Sequence, residues 1–145
     1  MEAAVANFHS PGETILVVDG GKFGERFWRI GLAYGLEVQR LKVKYGEAVS
    51  PAEIETAVQK NSKIKSVCLQ LCETSTGVVF DLEEIGRRLK EKGPLLIVDA
   101  ISGLAADRFE MDPGELTLRF QVPRRDSCFH RASPFLPSGR APARG

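Results

Sequence analysis

The chain has 145 residues, which is enough for one domain with a hydrophobic core of its own. Its 20 basic and 19 acidic side chains leave a net charge of +1, which argues against a polyanionic partner such as a nucleic acid. No apolar run approaches the roughly 20 residues that span a bilayer, and the N-terminal residues lack the basic segment of a signal peptide. We therefore expect a soluble, cytoplasmic protein with no nucleic-acid or membrane partner.

Apolar runs bounded by glycine and proline alternate along the chain with segments of helical pattern. Ser50-Pro51-Ala52-Glu53 marks a helix start, with serine as the N-cap and glutamate three residues later. The pattern predicts a βαβαβαβ order, and hence an α/β fold whose mainly parallel sheet is covered by helices. The predicted strands are 14–19, 36–43, 66–72 and 95–99; the predicted helices are 1–8, 24–34, 50–60 and 81–92.

Polar side chains follow two of these strands where each one ends. Asp99 ends the apolar run 95–99, and Thr74, Ser75 and Thr76 follow the strand 66–72. Open parallel sheets bind ligands at the carboxyl ends of their strands, so the pair predicts part of a binding site. Each feature alone is also typical of a turn or cap in which the side chain bonds to nearby backbone groups.

A glycine-rich segment, Gly20-Gly21-Lys22-Phe23-Gly24, lies between a predicted strand and a predicted helix. Its spacing differs from a dinucleotide fingerprint, so the pattern favours a tight turn that uses the positive φ open to glycine. Phe23 could offer an aromatic face to a planar ligand. The cysteines and histidines give no candidate site. Cys68, Cys72 and Cys128 lack metal-ligand spacing, so the sequence predicts no metal site. His9 and His130 have no serine or aspartate partners at the spacing of a catalytic triad.

The composition changes near Asp112. Residues 113–145 hold six arginines, no lysine and five of the eight prolines. A basic tail of this kind could bind nucleic acid, but Phe129 and Phe135 are not interleaved with charge as a base-stacking surface requires. Residues 116–122 alternate like a strand, and no periodicity follows.

Several motifs together resemble one family. They are 1–7, Ser10-Pro11-Gly12, 21–26, Glu73-Thr74-Ser75-Thr76-Gly77 and Val98-Asp99-Ala100. In this order they resemble the class V branch of the fold-type I pyridoxal phosphate enzymes, the alanine–glyoxylate and serine–pyruvate aminotransferase group. Leu71 departs from the pattern, because many members carry histidine there.

The resemblance implies a role for three residues of this chain. Asp99 would hold the pyridine nitrogen of pyridoxal 5′-phosphate protonated, Thr74 would bond near the ring's phenolic oxygen, and Phe23 would stack on the ring. It also implies a homodimeric parent enzyme. That enzyme would move an amino group between a small amino acid of the alanine or serine type and a 2-oxo acid such as glyoxylate or pyruvate.

Two parts of the family pattern are missing. The glycine-rich turn that holds the cofactor phosphate would precede Met1, and no Schiff-base lysine follows Lys92. Codons permitted for residues 116–137, read one nucleotide earlier, encode Ser-Gly-Ser-Gln-Lys, the family's lysine segment. We therefore expect 1–112 to be an internal fragment of the large domain, and 113–145 to be a frameshifted, non-homologous and disordered tail. Such a chain is expected to be catalytically incompetent. The alternative is a complete small α/β ligand-binding module without catalytic activity.

Overall fold

The computed structural model describes residues 1–90 and 92–103 and the backbone of 118–120. Its strands are β1 (Thr14–Asp19), β2 (Glu37–Lys42), β3 (Ile64–Gln70), β4 (Cys72–Glu73), β5 (Val78–Val79), β6 (Leu95–Asp99) and β7 (Leu118–Phe120). Its helices are α1 (Glu2–Phe8), α2 (Lys22–Ala33), α3 (Pro51–Lys60) and α4 (Leu82–Leu89). Within 1–90 and 92–103, no helix is long and apolar enough to cross a membrane.

Five strands form one parallel sheet in the order β2-β1-β3-β6-β7. The predicted α/β fold with a parallel sheet is thereby confirmed. β4 and β5 form a separate antiparallel hairpin after β3. Parallel strands require crossover connections, and α2, α3 and α4 lie in those that join β1, β2, β3 and β6 in chain order.

The three central strands are buried because helices cover both faces of the sheet. β1, β3 and β6 therefore consist largely of buried apolar residues, whereas β2 is an edge strand that exposes polar and charged side chains. Successive residues of a strand point to opposite faces, which divides the core into two clusters. One cluster packs under α3 and α4, and the other, which includes Val17, Cys68 and Ile97, packs under α1 and α2.

The predicted helix starts are confirmed at α3 and α4. Ser50 and Glu53 form a reciprocal capping box at α3, and the Asp81 carboxylate accepts the Glu84 N–H at 3.0 Å. The Glu53 side chain accepts the Ser50 N–H at 3.0 Å, so Glu53 and Asp81 both bond to backbone N–H groups at a helix start, where partners within the helix are lacking.

One part of the segment predicted to be a disordered tail has regular structure. β7, at 118–120, pairs parallel with β6, within the region whose alternating pattern predicts a strand. The rest of 113–145 lies outside the described residues.

Glycine allows α2 to pack closely on β1. A Cβ added at Gly24 would lie 2.6 Å from the Val18 carbonyl oxygen and 3.1 Å from the Asp19 Cα. Both are backbone atoms, which cannot move aside unless the helix and the strand separate.

We expect Gly24→Ala to lower the free energy of unfolding by about 1–3 kcal/mol, the usual cost of overpacking, measured by urea denaturation. Gly31→Ala is the matched control in the same helix. Its added Cβ would meet methyl groups of Ile15 and Val38, both at 2.9 Å, which can shift. Equal losses in the two variants would contradict this account.

Candidate functional site

The carboxyl ends of β1, β3 and β6 lie at one edge of the sheet, because the three strands are parallel and adjacent. The connection after β1 contains Gly20 and Gly21, the segment after β3 contains Glu73 and Thr74, and Asp99 ends β6. Residues that are far apart in sequence therefore meet at one edge, where parallel sheets bind their ligands.

Asp99 is a buried carboxylate, with 7% of the residue exposed. It shares the face of Ile97, under α1 and α2. The Ile101 N–H donates to its Oδ1 at 3.2 Å. Burial raises the pKa of Asp99, and the Ile101 N–H opposes that rise only in part. A group that brings a positive charge to this carboxylate would relieve the cost of burying it.

Thr74 is exposed, and its hydroxyl is in close hydrogen-bond contact with the hydroxyl of Ser102. Ser102 lies three residues after Asp99 in the chain. The contact therefore joins the segment that follows β3 to the segment that follows β6. It places two hydroxyl groups at the edge that carries Asp99.

Phe23 is the second residue of α2. Its half-buried side chain packs against the core cluster under α1 and α2, the cluster that contains Ile97. The structure thus places Phe23, Thr74 and Asp99 at the same edge. Their roles toward a cofactor stay predictions.

Glu73 anchors the first turn of α2, a role that the sequence analysis missed. Its side chain is fully buried. The carboxylate accepts the N–H of Phe23 at 3.2 Å and the N–H of Gly24 at 3.0 Å. A negative charge at a helix N-terminus is favoured by the helix dipole and by N–H groups that lack partners within the helix. The signal available in the sequence was an acid directly after a buried strand.

The contact between Glu73 and the start of α2 also explains why the segment before this helix contains glycine. The predicted reason, a turn with positive φ, was wrong: Gly21 has an extended backbone with φ 178°, and Gly20 and Gly24 are not among the glycines with positive φ. A Cβ at Gly21 would lie 2.4 Å from Cδ of Glu73 and 2.5 Å from Oγ of Ser75. Glycine is required here because Glu73 and Ser75 approach the backbone closely.

Ser75 strengthens this connection. Its hydroxyl donates to Oε1 of Glu73 at 2.6 Å and accepts the Lys22 N–H at 2.9 Å. The Tyr45 hydroxyl donates to Oγ of Ser75 at 3.2 Å. Ser75 therefore connects the loop after β3 to the start of α2 and to the loop after β2.

Gln70, the last residue of β3, was also missed. It is 2% exposed, and neither its Nε2 nor its Oε1 has a hydrogen-bond partner in the described part of the chain. It pairs in register with Asp99. A polar residue at the end of an apolar run was the available signal.

His9, for which the sequence predicts no triad partners, contacts a serine but no acid. Its Nε2 lies 2.7 Å from the Ser66 Oγ, and its Nδ1 lies 3.2 Å from the Val5 carbonyl oxygen. Ser66 also contacts the thiol of Cys68, whose burial raises its pKa to about 12. Ser66 and Cys68 are fully buried, so we assign these contacts to packing between α1 and β3. His130 and Cys128 lie outside the described residues.

The parallel sheet and its acid- and hydroxyl-bearing edge define an α/β protein of the kind that forms the large domain of fold-type I pyridoxal phosphate aminotransferases. The chain belongs to the aminotransferase class-V family, whose model matches residues 2–115.

Individual relatives are similar to this chain over the same region. The chain is 42% identical over 115 residues to the soluble hydrogenase 42 kDa subunit of Anabaena cylindrica, covering 77% of this chain and 30% of that one. It is 37% identical over 112 residues to an uncharacterized aminotransferase of Methanocaldococcus jannaschii, covering 77% of this chain and 29% of that one. The crystal structure of alanine–glyoxylate aminotransferase from Nostoc sp. matches with a TM-score of 0.71 and 34% identity, over 74% of this chain and 28% of that one. The chain thus spans about 30% of the length of these curated relatives.

We expect Glu73→Gln to lower the free energy of unfolding by about 1.5–3 kcal/mol, because it removes charge-assisted hydrogen bonds to the N–H groups of Phe23 and Gly24. Hydrogen exchange at the Phe23 and Gly24 amides should accelerate. Glu25→Gln is the control, a partly exposed acid in the same first turn. Unchanged exchange at both amides in Glu73→Gln would show that the contact does not hold α2.

Proposed function

We propose that residues 1–112 form part of the cofactor-binding large domain of a pyridoxal phosphate-dependent aminotransferase. Membership of the class-V family supports the proposal. The observation that carries it is Asp99, a buried carboxylate at the carboxyl edge of the parallel sheet. A pyridine nitrogen that holds a proton is a partner that such a carboxylate stabilises.

The residues present fit this cofactor. The edge offers an anion at Asp99, hydroxyls at Thr74 and Ser102, an aromatic side chain at Phe23, and an amide without a partner at Gln70. When bound, pyridoxal phosphate supplies an electron sink for the bonds to the amino-acid α-carbon.

The part played by each side chain follows from its surroundings. Asp99 would hold the proton on the ring nitrogen, and its burial keeps water from screening the charge pair. Thr74 would donate its hydroxyl hydrogen to the phenolic oxygen, while the contact with Ser102 orients that hydroxyl. Phe23 would cover one face of the ring and exclude water. The contact between Glu73 and α2 holds Phe23 in place for this role.

The names of related proteins favour a 2-oxo acid as the amino acceptor. The Nostoc structure is an alanine–glyoxylate aminotransferase. A relative from Bacillus cytotoxicus, 29% identical over 121 residues, is a 2-aminoethylphosphonate–pyruvate transaminase. We propose a small amino acid of the alanine or serine type as donor, glyoxylate or pyruvate as acceptor, and a homodimeric parent enzyme.

We further propose that the 145-residue chain is catalytically inactive by itself. No lysine follows Lys92, and the lysines at 90 and 92 precede the strand that carries Asp99. Transamination requires a lysine that binds the cofactor and carries the proton. We also propose that the sequence after residue 112 derives from a shifted reading frame. The nucleotide sequence of codons 110–145 tests this point, and an alternative frame that does not encode Ser-Gly-Ser-Gln-Lys would contradict it.

We expect Asp99→Asn to weaken the binding of pyridoxal phosphate by about tenfold or more, the usual effect of losing a charge-assisted hydrogen bond. Ligand-observed NMR suits the weak binding expected without the lysine. Asp19→Asn is the matched control, because Asp19 ends β1 at the same edge of the sheet, is separated from Asp99 by β3, and pairs with Arg40 at 2.6 Å. Equal affinities in both variants and the unaltered chain would contradict the role of Asp99 and favour a different ligand.

We expect no transamination by the purified chain with alanine or serine and either 2-oxo acid. Borohydride treatment in the presence of pyridoxal phosphate should label no single lysine preferentially, as peptide mass spectrometry would show. A stable adduct on one specific lysine, or turnover above the rate of free pyridoxal phosphate, would contradict the proposed inactivity.

A further inference from the structure

Gln70 is a polar side chain buried without the hydrogen bonds it requires. It is 2% exposed, and its Nε2 and Oε1 both lack a partner in the described residues. Leaving a buried amide unsatisfied costs about 1–3 kcal/mol. A methionine or leucine would fill the same position in β3 at no such cost, so a role in packing does not explain an amide here.

The position of Gln70 connects it to Asp99. β3 and β6 are neighbours, and Gln70 and Asp99 are register partners at their carboxyl ends. Both side chains lie on the face of the sheet under α1 and α2, since Gln70 shares the face of Cys68 and Asp99 that of Ile97. Neighbouring strands lie about 4.8 Å apart, so a rotamer change is sufficient to bring the amide to the carboxylate.

Asp99 can use such a donor. Its Oδ1 accepts the Ile101 N–H, and Oδ2 can accept from a second group. A lysine or arginine at position 70 would also hold the carboxylate, but its charge would repel a protonated ring nitrogen. A carboxamide supplies a hydrogen bond and adds no charge, which leaves the negative charge of Asp99 for the ligand.

We propose that Gln70 is a positioning residue for Asp99, whose carboxamide N–H donates to the carboxylate and keeps it ionised and directed toward the bound ring nitrogen. The proposal deepens the proposed function and rests on Asp99 as the carboxylate that holds the ligand. It assigns Gln70 no contact with the reacting atoms.

The test measures the titration of the Asp99 carboxyl group in the chain without ligand. Carboxyl ¹³C NMR follows it, with Asp99→Asn used to assign the signal. Arg26 and the chain's amino group favour ionisation of Asp99, and Glu73 opposes it. These charges are the same in the unaltered chain and in Gln70→Met. A hydrogen bond to the ionised form lowers a pKa, so Asp99 should titrate at higher pH in Gln70→Met.

Two further variants make the result decisive. Ser66→Ala removes another buried polar group from the same face of β3, away from Asp99, and should leave the Asp99 titration unchanged. Gln70→Asn keeps an amide that is one methylene too short, and should raise the Asp99 pKa as Gln70→Met does. If Gln70→Met does not fold, Gln70→Asn takes its place in the titration experiment.

The result separates the two proposals. An Asp99 titration that is the same in the unaltered chain and in the folded Gln70 variant overturns the role of Gln70. Such a result leaves the role of Asp99 in ligand binding standing. A shifted titration combined with unchanged pyridoxal phosphate binding in Asp99→Asn would support the Gln70–Asp99 contact and contradict the proposed function.

Discussion

The carboxylate of Glu73 holds together the edge of the sheet on which any site in this chain depends. It is fully buried and accepts the N–H groups of Phe23 and Gly24 in the first turn of α2, which offsets the cost of burying a charge. The contact fixes the start of α2 against the loop after β3. It requires glycine at position 21, because a side chain there would overlap Glu73. Phe23 and Thr74, the residues on either side of this contact, acquire fixed positions from it.

The two buried carboxylates at this edge of the sheet differ in their hydrogen-bond partners. Glu73 receives several donors from α2 and Ser75, so its hydrogen-bonding capacity is used within the chain. Asp99 receives the N–H of Ile101, and its burial raises its pKa. The first arrangement is that of a structural group. The arrangement around Asp99 leaves the carboxylate able to bind a cationic partner. This is the physical basis for assigning ligand binding to Asp99.

Sequence patterns predicted the buried strands well, because their apolar runs reflect burial on both faces. β1 and β6 have the predicted bounds, and Asp81 caps α4 as predicted. Other bounds differed by a few residues. β3 begins at Ile64 and ends at Gln70, and α2 begins at Lys22, where glycines predicted a turn. A local pattern cannot show that a carboxylate from another strand caps the helix.

The sequence by itself determined the α/β class, the order of the strands along the chain and the presence of an acid and hydroxyls at strand ends. These properties follow from local periodicity and from the geometry of parallel strands. Only the tertiary structure decided that Glu73 holds α2, that Ser102 contacts Thr74 and that Gln70 lies unsatisfied beside Asp99. Each of these pairs joins residues that are distant in sequence. The hydrogen-bonding environment of a side chain depends on burial and on neighbours that sheet packing alone brings together.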